Sequence, residues 1–104
     1  MAEVARKVVV TGSICSRPDR IDELVALSLE HVRRSRKEPG CLAHAVHRDV
    51  ENPLRLVFVE EWADRDALRA HFAVPASRAF VKAAAACAGD APSMSLYEVD
   101  ALQL

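Results

Sequence analysis

The stretch EPGCLAHAVHRDVENPLRLVFVEEWADRDALRAHF, from Glu38 to Phe72, determines the fold of this chain. It opens with a Pro-Gly pair, which is typical of a helix end. Two segments rich in β-branched and aromatic residues follow, CLAHAVHRDV (Cys41–Val50) and LRLVFVEEW (Leu54–Trp62), joined by a tight ENP connection. This pattern predicts a β-hairpin.

The residues before the hairpin predict a strand and then a helix. ARKVVVTGSICS, residues 5–16, is β-branched and mostly apolar, which indicates a strand. Pro18 and Asp19 mark the start of a helix that runs to the Pro-Gly pair. Its buried stripe is predicted from helical spacing to contain Ile21, Leu24, Val25, Ser28 and Val32.

The residues after the hairpin predict a helix interrupted once, followed by a last strand. Asp64 is the expected N-cap of DRDALRAHFA, and Pro75 interrupts the helical pattern. ASRAFVKAAAACA, residues 76–88, forms the next helix, with Gly89 expected to close it. PSMSLYEVDALQL, residues 92–104, supplies the final strand.

The element order is therefore β-α-β-β-α-β, which predicts a single ferredoxin-like α+β domain over residues 1–104. One helix layer would cover one face of a four-stranded antiparallel sheet. The last strand carries large side chains on both faces, with Met94 and Leu96 on one side and Tyr97 and Val99 on the other. We therefore expect a second copy of the chain to cover the open face, giving a homodimer.

Composition excludes several classes of function. The chain has 14 basic and 15 acidic residues, so it lacks the surplus of positive charge that drives binding to nucleic acid. No apolar run is long enough for a membrane span, and we expect a soluble, cytoplasmic protein. The three cysteines are widely spaced and are expected to serve as small apolar residues in a reducing compartment.

Four motifs, taken with the element order, carry a resemblance to a known family. They are EPGCL (Glu38–Leu42), a D…NP hairpin (Asp49, Asn52, Pro53), FVEEW (Phe58–Trp62) and ALRAHF (Ala67–Phe72). Across essentially its whole length the chain resembles the antibiotic biosynthesis monooxygenase domain, which includes small quinol monooxygenases. The resemblance implies a dimeric α/β barrel with a pocket between each sheet and its helices.

The family does not fix the reaction, because one fold supports several chemistries. Some members oxygenate phenols or anthrones with molecular oxygen and without metal or flavin, while others degrade haem or isomerise small sugars. The haem-degrading relatives carry an Asn on the first strand, and VVVTGSICS has none. This departure argues against haem oxygenation here.

Alternation along the third strand brings Phe58, Glu60 and Trp62 to one face, which the resemblance turns toward the helices. A carboxylate on an apolar face is costly unless it is paired or protonated. Glu60 is thus either an acid/base with a raised pKa or a partner for an interior Arg or His. Trp62 is interpreted as a wall residue, in the core or beside a flat aromatic substrate.

The four histidines receive different interpretations. His71 shares a helical stripe with apolar residues and should face the sheet, and the resemblance places a recurring family histidine there. His44 stands where the family often has Tyr. His44 and His47 lie three apart on one strand, hence on opposite faces, and cannot chelate one metal together. His47 is predicted to lie at the dimer face or in solvent, and His31 to lie near the polar side of its helix without a role.

The leading hypothesis is a cofactor-independent monooxygenase that oxidises a small aromatic phenol, hydroquinone or anthrone with O2 to a quinone. His71, or else His44, would remove the proton, and Glu60 would assist. The substrate would lie against Phe58, Trp62, Phe72 and Phe80. No metal or nucleotide motif is present. The alternatives are an isomerase of a small hydroxyketone or sugar phosphate, favoured by an inward Arg48 or Arg78, and a non-catalytic dimer that binds a hydrophobic ligand.

Overall fold

The computed structural model describes residues 6–104 and contains the predicted order of elements. These are β1 (Arg6–Cys15), α1 (Ile21–Ser35), β2 (Cys41–Arg48), β3 (Arg55–Trp62), α2 (Arg65–Ala73), α3 (Pro75–Cys87) and β4 (Ser93–Asp100). Residue 5, with which the predicted first strand begins, lies outside the described residues. No helix within residues 6–104 is both long and apolar enough to cross a membrane.

The four strands form one antiparallel sheet in the order β2-β3-β1-β4. The ferredoxin-like α+β fold predicted from the sequence is thereby confirmed. The turn of the β2-β3 hairpin is fixed by local side-chain bonds, since Asp49 Oδ1 accepts from the Glu51 N–H and Asn52 Oδ1 from the Leu54 N–H. This turn sets the register that pairs His44 with Glu60.

Alternation along β3 turns Leu56, Phe58, Glu60 and Trp62 toward the helices, as predicted, and all four are buried. Their apolar members belong to two separate clusters. Leu56 and Phe58 pack with α1 and α3, and Trp62 packs with β1 and α2. Glu60 lies on the strand between the two clusters. The sheet therefore carries a polar group at the boundary of its two apolar cores.

Two helix ends differ from the predicted pattern. The interruption at Pro75 is a full break, because Val74 is extended and separates α2 from α3, with Pro75 as the first residue of α3. Gly89 does not close α3 in a left-handed conformation, so that prediction is wrong. The chain is already extended at Ala88, and the Gly89 N–H donates to the Cys15 carbonyl, which ties the segment to β1.

Gly40 holds the turn between α1 and β2. Its φ of +80° lies in the left-handed region, and a Cβ there would come within 2.5 Å of the Ala67 Cβ on α2. The Gly40 carbonyl also accepts from the Ala63 N–H. The turn thus joins the start of β2 to the start of α2, and it directly follows Glu38.

Gly40→Ala should lower the free energy of unfolding by about 1–3 kcal/mol, through backbone strain and the clash with Ala67. Urea unfolding would measure the loss. Gly89→Ala is the matched control, since its Cβ would make only contacts of 3.7 Å or more, and it should stay within about 0.5 kcal/mol of wild type. Equal stability of the two variants would contradict this interpretation of the turn.

Candidate active site

Glu60 forms the centre of the site and is 6% exposed. Its Oε1 accepts a hydrogen bond from Trp62 Nε1 at 2.9 Å. His44 Nε2 lies 3.3 Å from the same oxygen, a close electrostatic contact rather than a well-aligned hydrogen bond, and His71 Nε2 lies 4.0 Å away. Burial acts to raise the pKa of Glu60, but His44, the Trp62 bond and the His71 charge outweigh it and leave the pKa below its ordinary value.

Of the two interpretations of Glu60, the structure therefore favours the interior partner over the acid with a raised pKa. A buried carboxylate with a lowered pKa stays ionised at neutral pH. It can orient imidazole groups and compensate positive charge on them. Trp62, which is fully buried, contributes the hydrogen bond that keeps the carboxylate in place.

His71 is oriented by a residue that sequence reasoning missed, Glu38. The N-cap Asp64, whose side chain accepts from the Ala67 N–H, starts α2 and directs His71 toward the sheet, as predicted. His71 Nδ1 lies 2.9 Å from Glu38 Oε1. Because a carboxylate accepts, Nδ1 carries the proton, and the neutral ring presents the lone pair of Nε2. The only signal in the sequence that could have identified Glu38 as a site residue is its position immediately before the Pro-Gly turn.

His31 belongs to the site, and the prediction that it lies near the polar side of α1 without a role is wrong. It is 5% exposed, and its ring stacks on Phe80 with centroids 4.1 Å apart and planes 7° apart. Its spacing from Leu24 and Ser28, seven and three residues earlier, continues the buried stripe of α1. That spacing could have identified it from the sequence.

The proton on His31 is fixed by a neighbour on the same helix. An Arg34 guanidinium nitrogen lies 2.8 Å from His31 Nδ1. Since arginine only donates, Nδ1 must accept, and the neutral ring carries its proton on Nε2. Burial, followed by electrostatic repulsion from the neighbouring His44, His71 and Arg34 side chains, lowers the pKa of His31 to about 3.

His31, His44 and His71 come together from three different elements, which no sequence spacing could indicate. Each offers a ring nitrogen within 4.8 Å of those of the other two. Such a set is a possible ligand group for a transition metal. However, a nitrogen that carries a proton has no lone pair for a metal, and Arg34 leaves His31 protonated on Nε2. The bonds made here fit a network of hydrogen bonds and charges better than a metal centre.

A cavity of about 490 Å³ opens beside these residues, between the sheet and α3. Five of the predicted site residues line it: Phe58, Glu60, His71, Phe72 and Phe80. Its walls are mostly apolar, and the ionisable residues that line it are His31, Glu60, His71 and Arg78. This combination suits a small flat ligand with one polar end.

Two predicted site residues lie behind the lining. Trp62 and His44 are 0% and 2% exposed, and neither is among the residues that line the cavity. His44 contacts Glu60 and the edge of Trp62 instead. Both contact Glu60 and His71, which do line the cavity. His47 is exposed on the opposite face of β2, consistent with the predicted alternation.

The fold and site define a ferredoxin-like α+β protein with a buried carboxylate-imidazole group at one end of an apolar pocket. The antibiotic biosynthesis monooxygenase family matches residues 7–83. The chain therefore belongs to the antibiotic biosynthesis monooxygenase family, as the resemblance in the sequence indicated.

Comparisons with individual proteins agree. A crystal structure of an antibiotic biosynthesis monooxygenase is 32% identical, superposes with a TM-score of 0.83, and the match covers 92% of this chain and 99% of that one. A conserved protein from Methanosarcina mazei is 22% identical with a TM-score of 0.85, covering 89% and 92% of the two chains, which shows the shared fold. The uncharacterized protein sll1783 of Synechocystis is 32% identical over 92 residues, 88% of this chain, and the match spans 63% of that relative's length.

The low pKa of His31 predicts that stability falls in mild acid. An unfolded histidine takes up a proton near pH 6.5, roughly, whereas folded His31 stays neutral down to about pH 3. The unfolded state then binds more protons, so the free energy of unfolding decreases as the pH falls below about 6.5. The titration of His31 alone should make the free energy of unfolding about 2 kcal/mol lower at pH 5 than at pH 8.

Urea unfolding at pH 5 and pH 8 measures this difference. His31→Phe keeps a ring against Phe80 but cannot titrate, so the difference should shrink by about the same amount. His47→Phe, at an exposed histidine, should retain the wild-type difference. An undiminished difference in His31→Phe would show that other groups cause the acid sensitivity.

Proposed function

We propose that the protein is a monooxygenase that oxidises a small aromatic phenol, hydroquinone or anthrone with O2 to a quinone, without metal or flavin. One observation carries the proposal. His71 is held by Glu38 with the Nε2 lone pair directed to the polar end of an apolar cavity. A base in that position can remove the proton of an aromatic hydroxyl whose ring occupies the apolar part.

The proposed reaction balances with no further reductant. His71 takes the hydroxyl proton, and the resulting anion, electron-rich at a ring carbon, gives electrons to O2. One oxygen atom bonds to that carbon, and the other leaves as water with two substrate hydrogens. An anthrone would enter this step through its enol form, which carries the hydroxyl, and with O2 it gives an anthraquinone and water. The apolar walls of Phe58, Phe72 and Phe80 keep bulk water away from the anion.

Glu60 is proposed to act as a fixed negative charge beside the base. Its carboxylate lies 4.0 Å from His71 Nε2 and favours the imidazolium that forms when the proton is taken up. Trp62 and His44, which lie behind the lining, hold this carboxylate in place. Their proposed contribution is therefore to orientation rather than to contact with substrate.

The pocket favours this reaction over the isomerase alternative. An isomerase of a sugar phosphate would need an inward cation, but Arg48 is exposed. Arg78 lines the cavity, yet it is exposed and its Nε points to the Phe72 carbonyl at 3.4 Å. The other alternative is a protein that binds a hydrophobic ligand without catalysis. A pocket filled by side chains would have favoured it, whereas the cavity here is open. A turnover assay distinguishes the two.

His71→Gln should reduce oxygen consumption with anthrone or 1-naphthol by about 10²-fold or more, because Gln keeps a hydrogen-bonding group but cannot act as the base. An oxygen electrode with quinone detection measures it. His47→Gln, on the opposite face, should be unaffected. No consumption by wild type with either compound, or equal rates in His71→Gln, would count against the proposal.

We also propose that two copies associate through the uncovered face of the sheet. Val59 and Tyr97 project from it and are 37% and 52% exposed in the single chain. Light scattering should give the dimer mass at micromolar concentration. Val59→Glu should shift it toward the monomer mass, while Val50→Glu, at a hairpin residue 96% exposed, should not. A monomer mass for wild type would contradict the proposal.

A further inference from the structure

His31 presents a different proton state to the cavity from that of His71. Arg34 donates to His31 Nδ1 at 2.8 Å, which leaves the ring proton on Nε2. Glu38 binds His71 Nδ1, which leaves the lone pair on Nε2. One imidazole can therefore donate where the other can accept, and both line the same cavity.

We propose that His31 is a substrate-binding donor whose Nε2–H bonds the oxygen of the aromatic ligand, and that Arg34 is the positioning residue that fixes this tautomer. The inference rests on the proposed function and deepens it. It names the ligand class as an aromatic compound with one oxygen that donates to His71 and accepts from His31. A hydroxyl does both, whereas a hydrocarbon does neither.

His31 lines the cavity, although the residue as a whole is only 5% exposed. Among the described residues, both ring nitrogens of His44 are fully buried and have no hydrogen-bond partner. His31 Nε2 does not belong to this group of buried, unpartnered atoms. Within residues 6–104, His31 makes its side-chain hydrogen bond through Nδ1. Stacking on Phe80 fixes the plane of the ring, so the direction of the N–H is fixed too.

The charges around His31 keep it neutral, which suits a donor that must not exchange its proton. Facing it are Arg34 on α1, His44 on β2, His71 on α2 and Glu60 on β3. Burial and three of these groups oppose protonation, and only Glu60 favours it. A neutral imidazole can stabilise an oxyanion by donation without transferring a full proton.

The step that gains most from this bond is removal of the hydroxyl proton. When His71 takes the proton, negative charge develops on the ligand oxygen, and a hydrogen bond to a charged acceptor is stronger than one to a neutral acceptor. Loss of one such donor typically reduces turnover by about 10²-fold or more. His31 would thus contribute more to turnover than to initial binding.

Imidazole ¹⁵N NMR tests the tautomer without any substrate. The His31 signals, assigned from their absence in His31→Phe, should report the Nε2–H form from pH 5 to pH 8. Arg34→Met should allow the Nδ1–H form or raise the pH at which the ring protonates. Arg33→Met, at the exposed neighbouring residue, should leave the spectrum unchanged. A wild-type His31 in the Nδ1–H form would overturn the proposal.

Equilibrium binding of 1-naphthol and naphthalene tests the donor without turnover. Wild type should bind 1-naphthol more tightly, and His31→Phe should lower this preference by about 10-fold. His31→Gln, which retains an N–H donor, should preserve most of it. Circular dichroism checks that both variants are folded. An unchanged preference in folded His31→Phe would overturn the proposal.

The two proposals fail separately. If the naphthol preference and the tautomer are as expected but no oxygen is consumed, His31 is a ligand donor in a protein with another reaction, and the monooxygenase proposal fails. If oxygen is consumed and His71→Gln abolishes this, but His31→Phe consumes oxygen as wild type does, the donor proposal fails alone.

Discussion

The burial of one carboxylate, Glu60, sets the constraint on which the site depends. It lies on β3 between Phe58 and Trp62, at the boundary of the two apolar clusters. An ionised group there needs compensation that a purely apolar layer cannot provide. The Trp62 N–H donates to the carboxylate at 2.9 Å, and the His44 imidazole lies 3.3 Å from the same oxygen. The polar end of the cavity is thus a consequence of keeping this charge stable.

Two charged groups nearer the surface give the buried imidazoles distinct roles. Glu38 accepts from His71, and Arg34 donates to His31, so rings of the same type present a lone pair and an N–H to one cavity. Both charged residues are placed by the end of α1. Arg34 lies in its last turn, and Glu38 lies three residues after its last residue, Ser35. The geometry of one helix end therefore decides the proton positions in the pocket.

The sequence predicted the elements well, because local patterns determine them. Alternation along β3 identified Glu60 and Trp62, and the N-cap Asp64 with helical spacing identified the inward face of His71. It did not predict that His31 joins the site or that Trp62 lies behind the pocket lining. Both facts depend on how α1, α2 and β2 pack against one another in three dimensions. No periodicity within one element carries that information.

Family membership and site geometry therefore answer different questions. The fold places a pocket between the sheet and α3, and one fold can support several different reactions. The cavity combines mostly apolar walls with a close group of His31, Glu60 and His71, which limits the ligands that suit it. A ligand that is apolar on most of its surface and polar at one oxygen satisfies both parts at once. A polar group placed against Phe58 or Phe80 would lack a partner there, at a cost in binding free energy.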